Sequence, residues 1–155
     1  MADCCNTKEQ GSEVSDSEIC PSCKSKGRKV KIITLKSMLI PTILDTLNAS
    51  LTHYFCSTKD CKVVYYDTSK KTYITSEVKV SVYQKDNSST VPVCYCFGWT
   101  KEKIKQYVED GLASNPVEHI RDNINENRCG CEVNNPQGSC CLRNVTSYTK
   151  SLSLL

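Results

Sequence analysis

Twelve of the 155 residues are cysteine, and their spacing sorts them into groups. Cys20-x₂-Cys23 and Cys56-x₄-Cys61 are two close pairs separated by 32 residues. A Cys-x₂-Cys turn places two sulfurs on one side of the backbone, and two such turns complete four ligands at roughly 2.3 Å from a tetrahedral Zn²⁺. Four thiolates leave no position for a substrate water, so the chemistry is structural and the ion supplies folding free energy. Lys24, Lys26, Arg28, Lys59 and Lys62 lie close enough in sequence to soften the site's negative charge. Disulfides, free buried thiols and a single iron are the other readings this spacing admits.

A second constellation joins Cys94-x-Cys96 to the cysteine-rich stretch holding Cys129, Cys131, Cys140 and Cys141. Two short helices predicted between the groups would return the chain and bring both to one end. That arrangement suits a buried centre ligated from two loops. Spacing alone leaves a second zinc site and an iron–sulfur cluster both open. Cys4-Cys5 is a third feature: adjacent thiols on free backbone suit a soft ion such as Cu⁺, or form an idle, redox-labile pair. His53 and His119 stand alone, one beside a strand and one on an exposed helix face, and read as surface or packing residues. Trp99 and Tyr95 border the second group and read as cover that keeps water from its sulfurs. No nucleophile–base pair, phosphate-binding glycine loop or carboxylate dyad stands out, which argues against an enzyme of the hydrolase or transferase kind.

The elements that must position these groups divide the chain. Residues 1–17 read as a disordered tail, 18–85 as a β module, 86–90 as a linker and 91–145 as a helical module. Arg28 to Leu35 is rich in β-branched residues and predicts a strand. A short helix is expected behind Pro41 from Thr42 to Leu47. His53–Cys56 and Lys62–Tyr66 read as strands flanking a turn. Tyr73, Val78, Val80 and Val82 alternate with polar residues, the pattern of a half-buried strand or hairpin. Beyond Lys85-Asp-Asn-Ser-Ser-Thr90 the period becomes helical at Ile104, Tyr107, Val108 and Leu112, with Thr100 able to cap and Gly111 able to terminate. A second helix begins at Asn115-Pro116 with Glu118 at the capping-box position and Val117, Ile120 and Ile124 on its buried face. The stretch after Arg143 gives no clear signal.

Composition bounds the functions. Hydrophobic residues are 39% of the chain, cysteines included, so the core calls for reinforcement by metals or disulfides. The net charge of +3 is dispersed, without the clustered basic face that nucleic acid requires. The polar, acidic first residues lack the features of a signal peptide, and the longest apolar run, near Met38 to Leu44, is broken by Pro41. The expectation is a cytoplasmic protein without membrane insertion, whose thiols stay reduced and free for metal. The Asn-x-Ser/Thr triplets at Asn48, Asn87 and Asn144 are then chance matches.

A resemblance sharpens this reading. Cys-x-Cys, about 31 to 34 residues with two helices, then further cysteines resembles the bacterioferritin-associated ferredoxin-like 2Fe–2S domain. From Cys20 onward the chain is similar to the N-terminal domain of extended CopZ-type copper chaperones, in which a Cys₄ zinc module is fused to such a cluster module. The matching pieces are Cys20-Pro-x-Cys23, Tyr54-Phe-Cys-Ser57 with Cys61-Lys-Val-Val-Tyr65, Pro92-Val-Cys-Tyr-Cys96 and Asn135-Pro-x-Gly-x-Cys-Cys141. The implied fold is α+β, a small zinc-ribbon-like β module followed by a helical 2Fe–2S module. The resemblance implies Zn²⁺ on Cys20, Cys23, Cys56 and Cys61, and a cluster on Cys94, Cys96, Cys131 and Cys141. Cys129 and Cys140 are then spare thiols, either able to exchange with its neighbour.

It further implies an electron donor, of low potential if all four ligands are thiolates, in copper handling: reduction of Cu²⁺ to Cu⁺ in support of a copper chaperone or copper-exporting ATPase. Lys101, Lys103 and Arg128 would raise that potential somewhat. The family's Met-x-Cys-x-x-Cys copper domain does not occur in these 155 residues, so a separate chaperone or Cys4-Cys5 would carry the ion. A ferredoxin-like carrier serving another redox metalloprotein and a non-redox zinc interaction module are the alternatives.

Overall fold

The computed structural model describes residues 16–111 and 115–153. The tail expected over residues 1–17 lies outside them as far as residue 15, Cys4 and Cys5 included, and so does Leu112. The first described residues, Asp16–Glu18, make a short 3₁₀ turn.

Four short strands build an antiparallel sheet in the order β1 (Arg28–Val30), β2 (His53–Phe55), β3 (Val63–Asp67) and β4 (Thr72–Ile74). Strand alternation gives its two faces different tasks. Val30, Phe55, Tyr65 and Tyr73 point to one face, where Leu35, Met38, Leu39, Val78 and Val82 complete a hydrophobic core. Tyr54 and Tyr66 stack on the other at 5.5 Å between ring centroids, among Cys20, Cys56 and Cys61. The register shift between Val63 and Tyr65 sends Val63 to the cysteine face and Val64 to the core. A β-bulge permits this by placing two residues opposite one. Consequently every residue of β3 is buried.

Two expectations are corrected here. The strand beginning at Arg28 stops at Val30, and α1 (Ile32–Met38) takes over. Thr34, Leu35 and Met38 are its buried residues, one helical stripe facing the sheet. Burial of that stripe outweighs the modest β-preference of Ile32 and Ile33. The strand expected from Thr72 to Tyr83 ends at Ile74, where Glu77 accepts from the Ile74 amide at 3.0 Å and a 3₁₀ turn follows. Val78 then bridges Leu39, and Val80 is exposed. The short helix behind Pro41 forms as α2 (Pro41–Leu44).

The second half places β5 (Pro92–Cys94) and β6 (Trp99–Thr100) ahead of α3 (Lys101–Asp110) and α4 (Pro116–Asn125). Thr100 Oγ1 accepts from the Lys103 amide at 3.2 Å, and Gly111 ends α3 at φ 60°. Asn115 Oδ1 accepts from the amides of Val117 and Glu118 at 3.0 and 3.4 Å, while Pro116 occupies the first helical position. A one-turn α5 (Cys131–Asn134) and a long α6 (Leu142–Ser153) complete the order. The helix α6 carries the chain beyond the boundary expected at 145, and both α3 and α4 pack on it. Leu142, Val145, Tyr148 and Leu152 form its inward stripe with Val93, Ile104 and Ile120.

The halves are packed together. The helix α5 lies on α1, and the Tyr65 hydroxyl donates to the Pro136 carbonyl. Gln84 Nε2 donates to Gln137 Oε1 at 2.7 Å. The 86–90 segment is polar but pinned, since the Glu102 amide donates to Ser89 O at 2.9 Å and Lys101 Nζ to Asp86 O at 2.9 Å. Gly138 sits in the seam at φ +70°, where a Cβ would meet Thr34 Oγ1 at 2.8 Å. We therefore expect Gly138→Ala to lower stability by about 1–3 kcal/mol from backbone strain alone, seen as a lower Tm in thermal melts.

Candidate metal centres

The first centre stands on the tyrosine face of the sheet. Cys20 and Cys23 lie in a tight turn in which the Cys20 amide donates to Ser25 O at 2.9 Å and the Lys24 amide to Cys20 O at 3.0 Å. Lys24 takes φ 63° to close it. Cys56 directly follows β2, and its amide donates to Val64 O at 2.8 Å. Cys61 precedes β3, its amide donating to Thr58 O at 3.3 Å. The four Sγ atoms all lie within 4.8 Å of one another. Cys20 and Cys61 are 3.9 Å apart and Cys23 and Cys56 3.6 Å. A tetrahedron with metal–sulfur bonds of about 2.3 Å has edges of about 3.8 Å, so the cage has the dimensions of one ion.

Burial pushes the Cys20 thiol up to about 12 and raises Cys56 as well. Burial acts upward on Cys23 too, but the Thr58 hydroxyl at 3.3 Å and the groups of Ser25 bring it down to about 6. Cys23 thus gives up its proton more readily than Cys20 and Cys56, whose thiols a bound metal would deprotonate. Three of the five basic residues expected here are engaged elsewhere: Lys24 donates to Pro21 O, Lys26 faces Glu18 and Arg28 reaches Ser139. Lys85 takes their place. Its Nζ donates to Thr58 O at 2.7 Å and Cys61 O at 2.9 Å and lies 3.8 Å from Cys56 Sγ. It sits 24 residues beyond Cys61, and only the folded path reveals it.

The second centre gathers Cys94 and Cys96 with Cys131, Cys140 and Cys141. Cys96 and Cys131 sulfurs are 3.6 Å apart. Cys141 interacts with both Cys94 and Cys131, and Cys140 with Cys131. By charge interaction Cys94 is linked to Cys141, Cys141 to Cys131 and Cys131 to Cys96, with Cys140 joined to Cys131 as well. Among the described residues, only the first centre forms a group of three or more ligand atoms mutually within 4.8 Å. Interaction with Cys131 holds Cys96 at about 6, helped by the Gly130 amide and Asn134, and brings Cys141 to about 4, while Cys94 and Cys131 are pushed up as their partners ionise. Cys94 and Cys141 are buried, Cys96 and Cys131 half-buried, Cys129 and Cys140 exposed.

The donors that reach this centre are not the expected cations. Lys101 is spent on Asp86 and the Tyr83 ring, and Arg128 on Asn123. Instead the Gly130 amide donates to Cys96 Sγ at 3.2 Å, with Asn134 Nδ2 at 3.6 Å. Phe97 and Trp99 wall the site, and Trp99 Nε1 donates to His119 Nδ1 at 3.0 Å. His119 is therefore half-buried wall, not the exposed residue expected. His53 is a buried packing residue, kept neutral chiefly by burial. Tyr95 binds Ser81 O and the Tyr83 amide, which fixes the chain ahead of β5.

Sequence reasoning passed over the residue that shapes the exit loop. Gln137 lies inside the Asn-Pro-x-Gly stretch and is 7% exposed. Its Nε2 donates to Ser139 O at 3.2 Å and Cys140 O at 3.1 Å, and its Oε1 accepts from Gln84 and from Asn144. Both amide protons and both acceptor positions are filled. Asn135 adds a bond from its Nδ2 to Ser139 O at 3.1 Å and accepts from the Gln137 amide. The cue was a polar pair between turn residues and two cysteines, with no partner visible nearby in sequence.

The fold and its two cysteine groups define a mixed helix-and-sheet protein with a cluster able to hold a metal. Residues 17–79 match a family model, zf_CopZ, described as a zinc binding domain. The structure is similar to the X-ray structure of the Archaeoglobus fulgidus CopZ N-terminal domain, at 25% identity and a TM-score of 0.69, covering 83% of this chain and 95% of that one. No curated protein matches the chain by sequence. Among the described residues no helix is long and apolar enough to cross a membrane.

Lys85→Met removes two charge-assisted bonds at the first centre, each worth about 1.5–3 kcal/mol. We expect several-fold faster zinc release to a chromogenic chelator. Gln137→Leu leaves the Cys140 carbonyl and two side-chain amides without their partner, and the Ser139 carbonyl with Asn135 alone. The loss is about 3 kcal/mol, seen as a fall in Tm.

Proposed function

We propose that the chain is a cytoplasmic zinc and 2Fe–2S protein of copper handling, in which the second centre donates single electrons, for example to convert Cu²⁺ to Cu⁺. The observation that carries this reading is the contrast between the cysteine sets. One set closes on a point and suits a single Zn²⁺ held by Cys20, Cys23, Cys56 and Cys61. The other is more open: no three of its sulfurs lie mutually within 4.8 Å, and Cys96 and Cys131 are 3.6 Å apart, which suits two irons better than one ion. The likeness to the CopZ N-terminal domain supports the copper assignment.

In this reading the first centre stays inert: four thiolates fill its coordination sphere, and Lys85 offsets part of its charge. A cluster bound at the second centre supplies one-electron chemistry. The chain's own residues set how that proceeds. Phe97, Trp99 and His119 exclude water from Cys94 and Cys141, which favours a low potential. The Gly130 amide and Asn134 donate to Cys96, which stabilises the added negative charge on Cys96 and Cys131. The partner would be a copper chaperone or copper-exporting ATPase.

Anaerobically purified protein should be red-brown and contain zinc, iron and acid-labile sulfide. Two zinc ions and no iron would leave a non-redox zinc module instead. Once reduced by dithionite, the protein should pass its electron to Cu²⁺; indifference to copper beside ready reduction of an unrelated acceptor would make it a general electron carrier. Cys94→Ser should bleach the visible spectrum while zinc remains. Loss of both metals together would show that the centres are not separable.

A further inference from the structure

The large hydrophobic side chains exposed among the described residues are Ile33, Val80 and Val133. Two of them stand on packed neighbours. Ile33 lies on α1 and Val133 on α5, the one-turn helix that rests on α1. The seam between these helices is bridged close to both residues, Lys31 Nζ meeting Glu132 Oε1 at 2.5 Å. Ile33 is 40% exposed and Val133 44%.

A groove of about 430 Å³ opens beside Ile33. Val30, Ile32, Ile33 and Leu51 supply its apolar lining, and Lys29 and Lys31 its charges. No acidic residue lines it. The run from Arg28 to Met38 holds Arg28, Lys29, Lys31 and Lys36 and neither Asp nor Glu. Glu132 offsets Lys31, whereas Lys29 and Lys36 are exposed and form no ion pair among the described residues. Lys36 falls three residues after Ile33, which makes the two neighbours on the helix surface.

We propose that this groove, with Ile33 at its edge and Val133 beyond it on α5, docks an acidic segment of a partner protein. An apolar side chain of the partner enters the groove, and carboxylates flanking it meet Lys29 and Lys36. The unmatched cations make negative charge the complement, which steers encounter and fixes register. A concave apolar lining fits an inserted side chain, whereas a lipid surface would pass over it. A second copy of this chain would set lysine against lysine in a symmetric contact. Cys131 opens α5, and its Sγ is 3.6 Å from Cys96 Sγ, so a partner resting on Val133 stands next to the second centre. The face gives the proposed function a docking surface but requires no particular metal there, so binding and electron donation stand or fall separately.

The test is panning of a random peptide library displayed on phage against the full chain carrying its native metals. Retained clones should be net acidic and contain a bulky apolar residue. Peptides synthesised from them should bind Ile33→Asp and Lys29→Glu/Lys36→Glu at least ~10-fold more weakly than wild type. Added salt should weaken them, and so should Val133→Asp. Val80→Asp, at the remaining exposed hydrophobic, should bind as wild type does. Zinc content and Tm identify any variant that fails to fold, and the Ile33 and lysine variants are independent of each other. Undiminished binding to both would overturn the face, as would neutral or basic clones, or none at all. So would phosphatidylserine vesicles bound by wild type and not by Ile33→Asp, since the face would then contact membrane. An Ile33-dependent dimer in sedimentation would overturn it as well, by making the occupant a second copy.

Discussion

The side-chain amide of Gln137 is the fastening on which the second half depends. It is one of few buried polar side chains among the described residues, and all four of its hydrogen-bonding positions are used. One acceptor position faces Gln84, at the end of the first module, and the other faces Asn144 on α6. Its protons hold the carbonyls of Ser139 and Cys140. A buried amide is costly unless every position is matched, and here the match ties three stretches of chain together. That constraint aims Cys141 into the interior and Cys140 out of it. A hydrophobic residue of the same size could fill the volume but could not choose between two adjacent cysteines.

The two centres illustrate different ways of managing sulfur. In the first, burial works against ionisation at Cys20 and Cys56, and local hydroxyl and amide donors favour it at Cys23. In the second, thiols act on one another, drawing Cys96 and Cys141 down and pushing Cys94 and Cys131 up. Thiols drawn down in this way, as at Cys96 and Cys141, give up their protons to a metal more readily. Both centres take their donors from backbone amides and from residues distant in sequence, rather than from the cations nearest each cysteine.

Much of the local architecture was legible because it is encoded locally. Thr100, Gly111, Asn115 and Pro116 are capping signals whose physics needs no tertiary partner. The close pairs of cysteines announced their turns, and the first four gather as their spacing required. What escaped was settled by burial. Ile32 and Ile33 favour a strand in isolation, but Leu35 and Met38 gain more by lying on the sheet as a helix. The inward stripe of α6, Leu142, Val145, Tyr148 and Leu152, has ordinary helical spacing, yet it follows a cysteine pair and lacks a capping signal. Lys85 and Gln137 could not have been read at all, because their partners lie in distant turns.

Order of synthesis follows from how the exit loop is seated. Its floor consists of Val30, Thr34 and Tyr65, with Gln84 at the rim, and every one of these residues precedes the loop in the chain. A ribosome therefore releases this floor before it makes the segment that sits there, and only Asn144 on α6 follows. The carboxyl-terminal cysteines emerge onto a prepared surface, and maturation can run from the amino end without revisiting what was built first.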